Sequence, residues 1–213
     1  DKTALLLASF NGHDEVVRLL LELEKIDPNL SGPGGYAPLH ICVVMRNPDC
    51  AKHLLRSDKI NVNRLTHQGY SALCLAVSVN NVEMVRLLLE RKVNQINFEN
   101  WCWNRILLNA ITKKRIDILH LFLQHPSLTF DLNMALNVAI RNYHADVVEV
   151  LVNSYKVDMN KLSYNGGCSG TALHLAAKYP DEKIVNLLLS NDCVDIEKEA
   201  SDGHTPLQFA INE

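Results

Sequence analysis

The stretch "SGTALHLAAKYPDEKIVNLLL" (residues 169–189) carries the pattern on which the fold turns. Thr171 suits the N-cap of a helix opening with "TALHLA", because its hydroxyl can accept a backbone N–H of the first turn. "YPD" at 179–181 breaks that helix. Apolar residues return in "IVNLLL" (184–189), the buried stripe of a second short helix. Neither helix can bury its apolar face alone, so a stable chain should repeat the unit and stack the copies.

The unit does repeat. Its anchor is the first residue of the pattern small/Thr–x–Leu–polar–apolar–Ala, and it falls at Thr3, Ala37, Ser71, Arg105, Met134, Thr171 and Thr205. The spacings are 34, 34, 34, 29, 37 and 34 residues. The second stripe keeps the same phase: "VVRLLL" (16–21), "CAKHLL" (50–55), "MVRLLL" (84–89), "ILHLFL" (118–123), "VVEVLV" (147–152) and "IVNLLL" (184–189). Two independent features in one phase make the repeat secure. Thr3, Ser71, Thr171 and Thr205 are expected to cap first helices, and Asn47 to cap a second helix with Pro48 at its first position. Polar, glycine-bearing turns such as "LTHQGY" (65–70) and "ASDGH" (200–204) lead into the next anchor.

On these residues the chain resembles the ankyrin-repeat family. "DGHTPLQFA" (202–210), "SGTALHLAA" (169–177), "GGYAPLHIC" (34–42) and "NGHDEVVRLLL" (11–21) carry the likeness, which covers six full repeats and the start of a seventh. The resemblance implies an all-α solenoid of stacked helix-turn-helix units with β-turn fingers, forming a single domain over residues 1–213. Because the chain begins and ends inside repeats, it is expected to be a segment of a longer protein. In the family, His40 and His174 would hydrogen-bond backbone between repeats, and Asn63, Asn97 and Asn160 would stabilise turns.

Three departures from the family pattern stand together. Trp103 takes the place of a finger glycine, the finger at 128–136 is nearly deleted, and the finger at 160–170 is enlarged. Trp101 sits four residues before its anchor, a slot that in the family faces the concave surface. Trp103 is expected to fold onto a neighbour, and both rings can alternatively fill the gap left by the shortened finger.

The resemblance also implies a concave face formed by residues seven and eight past each anchor and one before it. In repeats one to three these include, beside Asn11 and Ser78, the apolar or aromatic Phe10, Tyr36, Val44, Met45, Tyr70 and Val79. In repeats four to six they include Lys113, Arg141, Lys178 and Tyr179. A groove of this kind suits a protein or peptide with apolar anchors followed by acidic or phosphorylated residues. The simpler reading is that cations at helix C-termini offset the macrodipole.

Composition narrows the remaining classes. Apolar residues make up 47%, charged residues 21%, and the formal net charge is −3, which speaks against a nucleic-acid binder. No apolar run reaches the roughly 18 residues of a membrane span. Six cysteines without a CxxC pair read as free thiols in a reducing, cytoplasmic setting. Cys42, Cys50 and Cys74 fall at packing positions, whereas Cys102 and Cys168 are expected on fingers. No Walker loop, GxSxG, HExxH or kinase signature is present, so no catalytic residue, metal or cofactor is expected. The sequence therefore predicts a monomeric, non-enzymatic protein-interaction scaffold. The alternative is the targeting arm of a larger enzyme, or of a secreted bacterial effector acting in host cytoplasm.

Overall fold

Several first helices start where a side chain satisfies an orphan N–H of the opening turn, but the helices after Ala37 and Thr171 do not: the Thr171 hydroxyl, expected to cap, lies 2.9 Å from His174 Nδ1 instead. Thr3 Oγ1 accepts from Leu6 N at 3.2 Å, Ser71 Oγ from Cys74 N at 3.2 Å, and Asp131 Oδ1 from Met134 N at 3.1 Å. Thr205 and Gln208 cap reciprocally, with Thr205 N donating to Gln208 Oε1 at 2.8 Å. The computed structural model describes residues 3–92, 96, 102–125, 130–154, 156–164 and 169–212. Asn97, Trp101, Leu128, Cys168 and Glu213 lie outside the described residues, as do the side chains of Cys102, Trp103 and Asn104.

Thirteen α-helices are described, and the chain divides into two compact units, Asp1–Ile106 and Leu107–Glu213. The first unit holds α1 (Ala4–Asn11), α2 (Asp14–Glu22), α3 (Pro38–Met45), α4 (Pro48–Arg56), α5 (Ala72–Ser78) and α6 (Val82–Lys92). There α1 packs on α3 and α3 on α5, while α2 packs on α4 and α4 on α6. First helices thus form one layer and second helices another. The interior is Leu5, Leu39, Val43, Leu54, Leu73, Val85 and Leu88. Each buried leucine contributes about 1.5–3 kcal/mol of transfer free energy.

The division falls within α7 (Cys102–Thr112). The second unit continues with α8 (Ile116–Gln124), α9 (Leu132–Arg141), α10 (Ala145–Val152), α11 (Ala172–Lys178), α12 (Glu182–Leu189) and α13 (Pro206–Asn212). Its layers repeat the scheme: α9 on α11 on α13, and α8 on α10 on α12. Ala139, Ile140, Val148, Leu151, Leu175 and Leu188 fill the space between them.

Two expectations change around the irregular repeats. Cys102 and Trp103 belong to the first turn of α7 and not to a finger. In repeat five the cap is Asp131, three residues before Met134. Helices α7 and α9 therefore run 11 and 10 residues, against 7 for α5 and α11. An added turn of helix takes up chain that a finger uses elsewhere.

Asn47 also departs from its expected role. Its side chain makes no cap bond to α4. Its amide donates instead to Ser9 O of the preceding repeat at 2.8 Å. Asn81 does the same to Val43 O at 3.3 Å, and His144 Nδ1 lies 3.0 Å from Ile111 O. Ten residues past the anchor, a polar side chain ties one repeat to the last carbonyls of its neighbour's first helix.

One residue earlier the backbone is left-handed in five successive repeats: Gly12 (φ 73), Arg46 (φ 57), Asn80 (φ 52), Lys114 (φ 52) and Tyr143 (φ 56). Repeat six places Pro180 there, whose ring forbids that angle, and Asp181 caps α12 through Ile184 N at 3.0 Å. The fingers turn on glycine. Gly35, Gly69 and Gly203 have φ of 77, 76 and 80. Each of these fingers is closed by a backbone bond, from Gly32 N to Tyr36 O, Thr66 N to Tyr70 O and Ala200 N to His204 O. The enlarged finger adds a two-residue antiparallel ladder, β1 (Ser163–Tyr164) with β2 (Ser169–Gly170).

Candidate functional site

In the first unit the apolar residues at the ends of the first helices face water. Phe10 is 45% exposed, Val44 42% and Met45 40%. Phe10 and Tyr36 are brought together across a small cleft of about 50 Å³, shared with Leu6, Leu7, Pro33 and Ile41. The Tyr36 ring stands edge-on to the His40 ring at 6.2 Å, which fixes its direction. Tyr70 and Val79 are half-buried and engaged within the chain. The Arg105 guanidinium lies 4.4 Å over the Tyr70 ring and also donates to its hydroxyl. Arg46 Nη2 donates to Val79 O at 2.8 Å.

In the second unit Arg141 is exposed at the end of α9, with its guanidinium 6.0 Å from the Tyr179 ring. Tyr143 meets Tyr179 edge to face at 6.5 Å and 75°. Lys178 is half-buried beside them in sequence, and Lys113 is exposed just past the end of α7. The second unit thus assembles Arg141, Tyr143 and Tyr179 into one cationic and aromatic patch. Tyr143 was not among the residues expected to face a partner. Its only sequence signal is its place nine residues past an anchor, in the left-handed turn. Trp101 lies outside the described residues.

The histidines and cysteines at the repeat's motif and packing positions are committed to structure. His40 and His174 are buried and bridge repeats, as the resemblance implies. The ring Nδ1 of each accepts from its anchor's N–H at 3.1 Å, so the proton sits on Nε2, which donates to Arg64 O at 2.9 Å and His204 O at 3.0 Å. Burial holds the pKa of His40 below its ordinary value, although its backbone hydrogen bonds oppose that shift. Cys42, Cys50 and Cys74 are buried. A hydrogen bond with Cys50, followed by burial, pushes the Cys42 thiol well above the usual range, so it is no nucleophile.

Asn160 stabilises backbone as expected, donating to Cys193 O at 2.7 Å and accepting from Asp195 N at 2.8 Å. Asn29 plays the same part with Lys59 O at 2.8 Å and Asn61 N at 2.7 Å, and sequence reading missed it. Of the basic run Lys113–Lys114–Arg115, Lys114 is spent in the left-handed turn and lies 3.7 Å from Asp146.

Comparison with known proteins agrees with this architecture. The model of three ankyrin repeats matches residues 1–66 and 136–213, and the single ankyrin repeat model matches 68–101. The stretch unmatched, 102–135, contains the lengthened α7 and the new cap at Asp131. Among solved structures, the ankyrin repeat domain of Bcl-3, a member of the IkappaB protein family, aligns with TM-score 0.82 and 21% identity. That alignment covers 98% of this chain and 94% of that one. The human ASB11 ankyrin repeat domain aligns with TM-score 0.62 and 19% identity, over 98% of this chain and 92% of that one. At such identity the likeness is one of fold. No curated protein matches the sequence. Among the described residues no helix is long and apolar enough to cross a membrane. With family models matching well over half of its length, the chain belongs to the ankyrin-repeat family, whose domains are generally protein–protein interaction modules.

Proposed function

We propose that this chain acts as a monomeric, non-enzymatic scaffold that binds another polypeptide through the ends of its first helices and the adjoining fingers. The observation that carries the reading is the exposure of Phe10, Val44 and Met45. Such exposure is not required by the repeat, because Thr112 and Asn142 occupy matching slots in repeats four and five. Apolar side chains held out on rigid helix ends lose little entropy when a partner covers them.

The two units offer different chemistry. The first presents Phe10, Tyr36, Val44 and Met45, with Tyr70 and Val79 at the matching slots of the next repeat, and so suits apolar anchor residues. The second presents Arg141 with Tyr143 and Tyr179, supplemented by Lys113 and Lys178. This patch suits carboxylate or phosphate groups, which arginine can meet with paired hydrogen bonds. A partner peptide that uses both carries apolar residues and acidic or phosphorylated ones. Trp101, four residues before its anchor, belongs to the same proposed surface. The buried thiols Cys42, Cys50 and Cys74 suit a reducing cytoplasm, where we place the protein.

Selection from a random peptide display library tests the reading and requires no identified partner. Enriched peptides should combine aromatic or aliphatic anchors with acidic residues. They should lose binding to a Phe10→Ala/Met45→Ala variant. A selection that yields no consensus, or peptides that bind the variant unchanged, would refute the proposal.

A further inference from the structure

The outer layer of the first unit gathers three potential metal ligands from two repeats. Asp14 and Glu15 open α2, and His53 lies on α4, which packs against α2. One ligand atom from each of the three falls within 4.8 Å of the other two. Asp14 and His53 are half-buried and make no side-chain hydrogen bond or ion pair with each other or with any other described residue. Glu15 Oε2 accepts from Arg18 Nε at 2.9 Å, which leaves Oε1 for another partner. Two carboxylates and an imidazole therefore converge on one point with no group of the protein bridging all three.

We infer that Asp14, Glu15 and His53 form a binding site for a divalent transition-metal ion of the zinc class, tying the first repeat to the second. The donor set decides the class. An imidazole nitrogen beside two carboxylates suits Zn²⁺ and its neighbours, whereas Ca²⁺ and Mg²⁺ take oxygen ligands throughout. Bonds of about 2.0–2.2 Å require the ligand atoms to approach to roughly 3.5 Å. Side-chain rotation at these partly exposed positions supplies the remaining ångström, and water completes the coordination. The ion also relieves the repulsion between adjacent carboxylates. The positive end of the α2 dipole and the nearby Arg18 both work against a cation, so affinity is moderate. Because α2 and α4 belong to different repeats, binding stabilises the stacked state by mass action.

The test titrates the whole chain calorimetrically with zinc chloride alone and follows hydrogen exchange of the α2 amides. Wild type should show one saturable event and slower exchange in α2. His53→Ala and Asp14→Asn should each weaken that event by about tenfold or more, with no zinc-dependent protection remaining. His120→Ala, on α8, should bind as wild type. If Asp14→Asn perturbs α2 by itself, Glu15→Gln replaces it with the same expectation. The assignment is overturned if wild type shows no saturable event. It is overturned equally if His53→Ala binds within tenfold of wild type, because the metal then sits elsewhere.

Discussion

His40 and Arg64 are joined across a repeat boundary: the imidazole Nε2 donates to the Arg64 carbonyl at 2.9 Å, while Nδ1 accepts the Ala37 N–H at 3.1 Å. One buried ring thus closes the first turn of α3 and holds the following finger. His40→Ala leaves both backbone groups without their partner, each costing about 1–3 kcal/mol when buried. A loss of about 2–4 kcal/mol in urea unfolding is expected. A loss below about 1 kcal/mol would mean that water replaces the ring at no cost.

The same ring makes stability depend on pH. Its folded pKa lies below the ordinary value of 6.5, chiefly because burial disfavours the charged form. Below that pH the unfolded chain takes up a proton that the folded one resists, so stability falls as pH drops through and under 6.5. Above it this contribution is fully present. The urea midpoint should therefore fall between about pH 7.5 and pH 5.5, and fall less in His40→Gln.

Gly35 and Gly203 look alike in sequence but should answer substitution differently. Both have positive φ, 77 and 80. A Cβ on Gly35 would meet His67 N at 2.7 Å, whereas one on Gly203 meets nothing within 4 Å. Gly203→Ala should cost about 1 kcal/mol from the left-handed backbone alone. Gly35→Ala should cost clearly more, because the stacked finger must move. Equal melting temperatures for the two variants would contradict the close approach.

Lys114 holds a left-handed turn that glycine takes in repeat one, at Gly12. Its ion pair with Asp146 is exposed and 3.7 Å long, so it contributes little. Lys114→Gly should relieve about 1 kcal/mol of backbone strain, partly offset by the greater freedom of glycine in the unfolded chain. The net result is a small rise in melting temperature. A fall would show that the side chain carries more than the turn costs.

For binding, Phe10→Ala with Met45→Ala should weaken a selected peptide by about tenfold or more and lower the melting temperature only modestly, since Phe10 is 45% and Met45 40% exposed. Replacing Lys113, Arg141 and Lys178 together by Glu should abolish binding of acidic peptides. Binding to wild type should also weaken as salt is raised. Tight, salt-insensitive binding of acidic peptides to the triple variant would remove the second unit from the interface.

Much of this was legible along the chain. The spacing of Thr3, Ala37 and Ser71, and the second stripe in phase with it, set the repeat and its helix pairs. The caps at Thr3, Ser71 and Thr205 and the bridging roles of His40 and His174 followed from position in the repeat, whereas Thr171 makes no such cap bond. These features are local, or recur at a fixed interval, and one-dimensional periodicity records them.

Stacking decided the rest. That Phe10 and Met45 stay exposed while Tyr70 is covered by Arg105 depends on which neighbouring side chain reaches across, and no spacing encodes that. Asn47 suits a helix cap in sequence, yet its amide finds a carbonyl 38 residues earlier at Ser9. Asp14 and His53 resemble no ligand pair when read along the chain, and they converge only because α2 and α4 lie side by side. Sequence by itself determined the repeating unit, since propensity and apolar period act within a few residues. Tertiary structure determined what the surface presents, since exposure and ligand geometry arise only between elements distant in the chain.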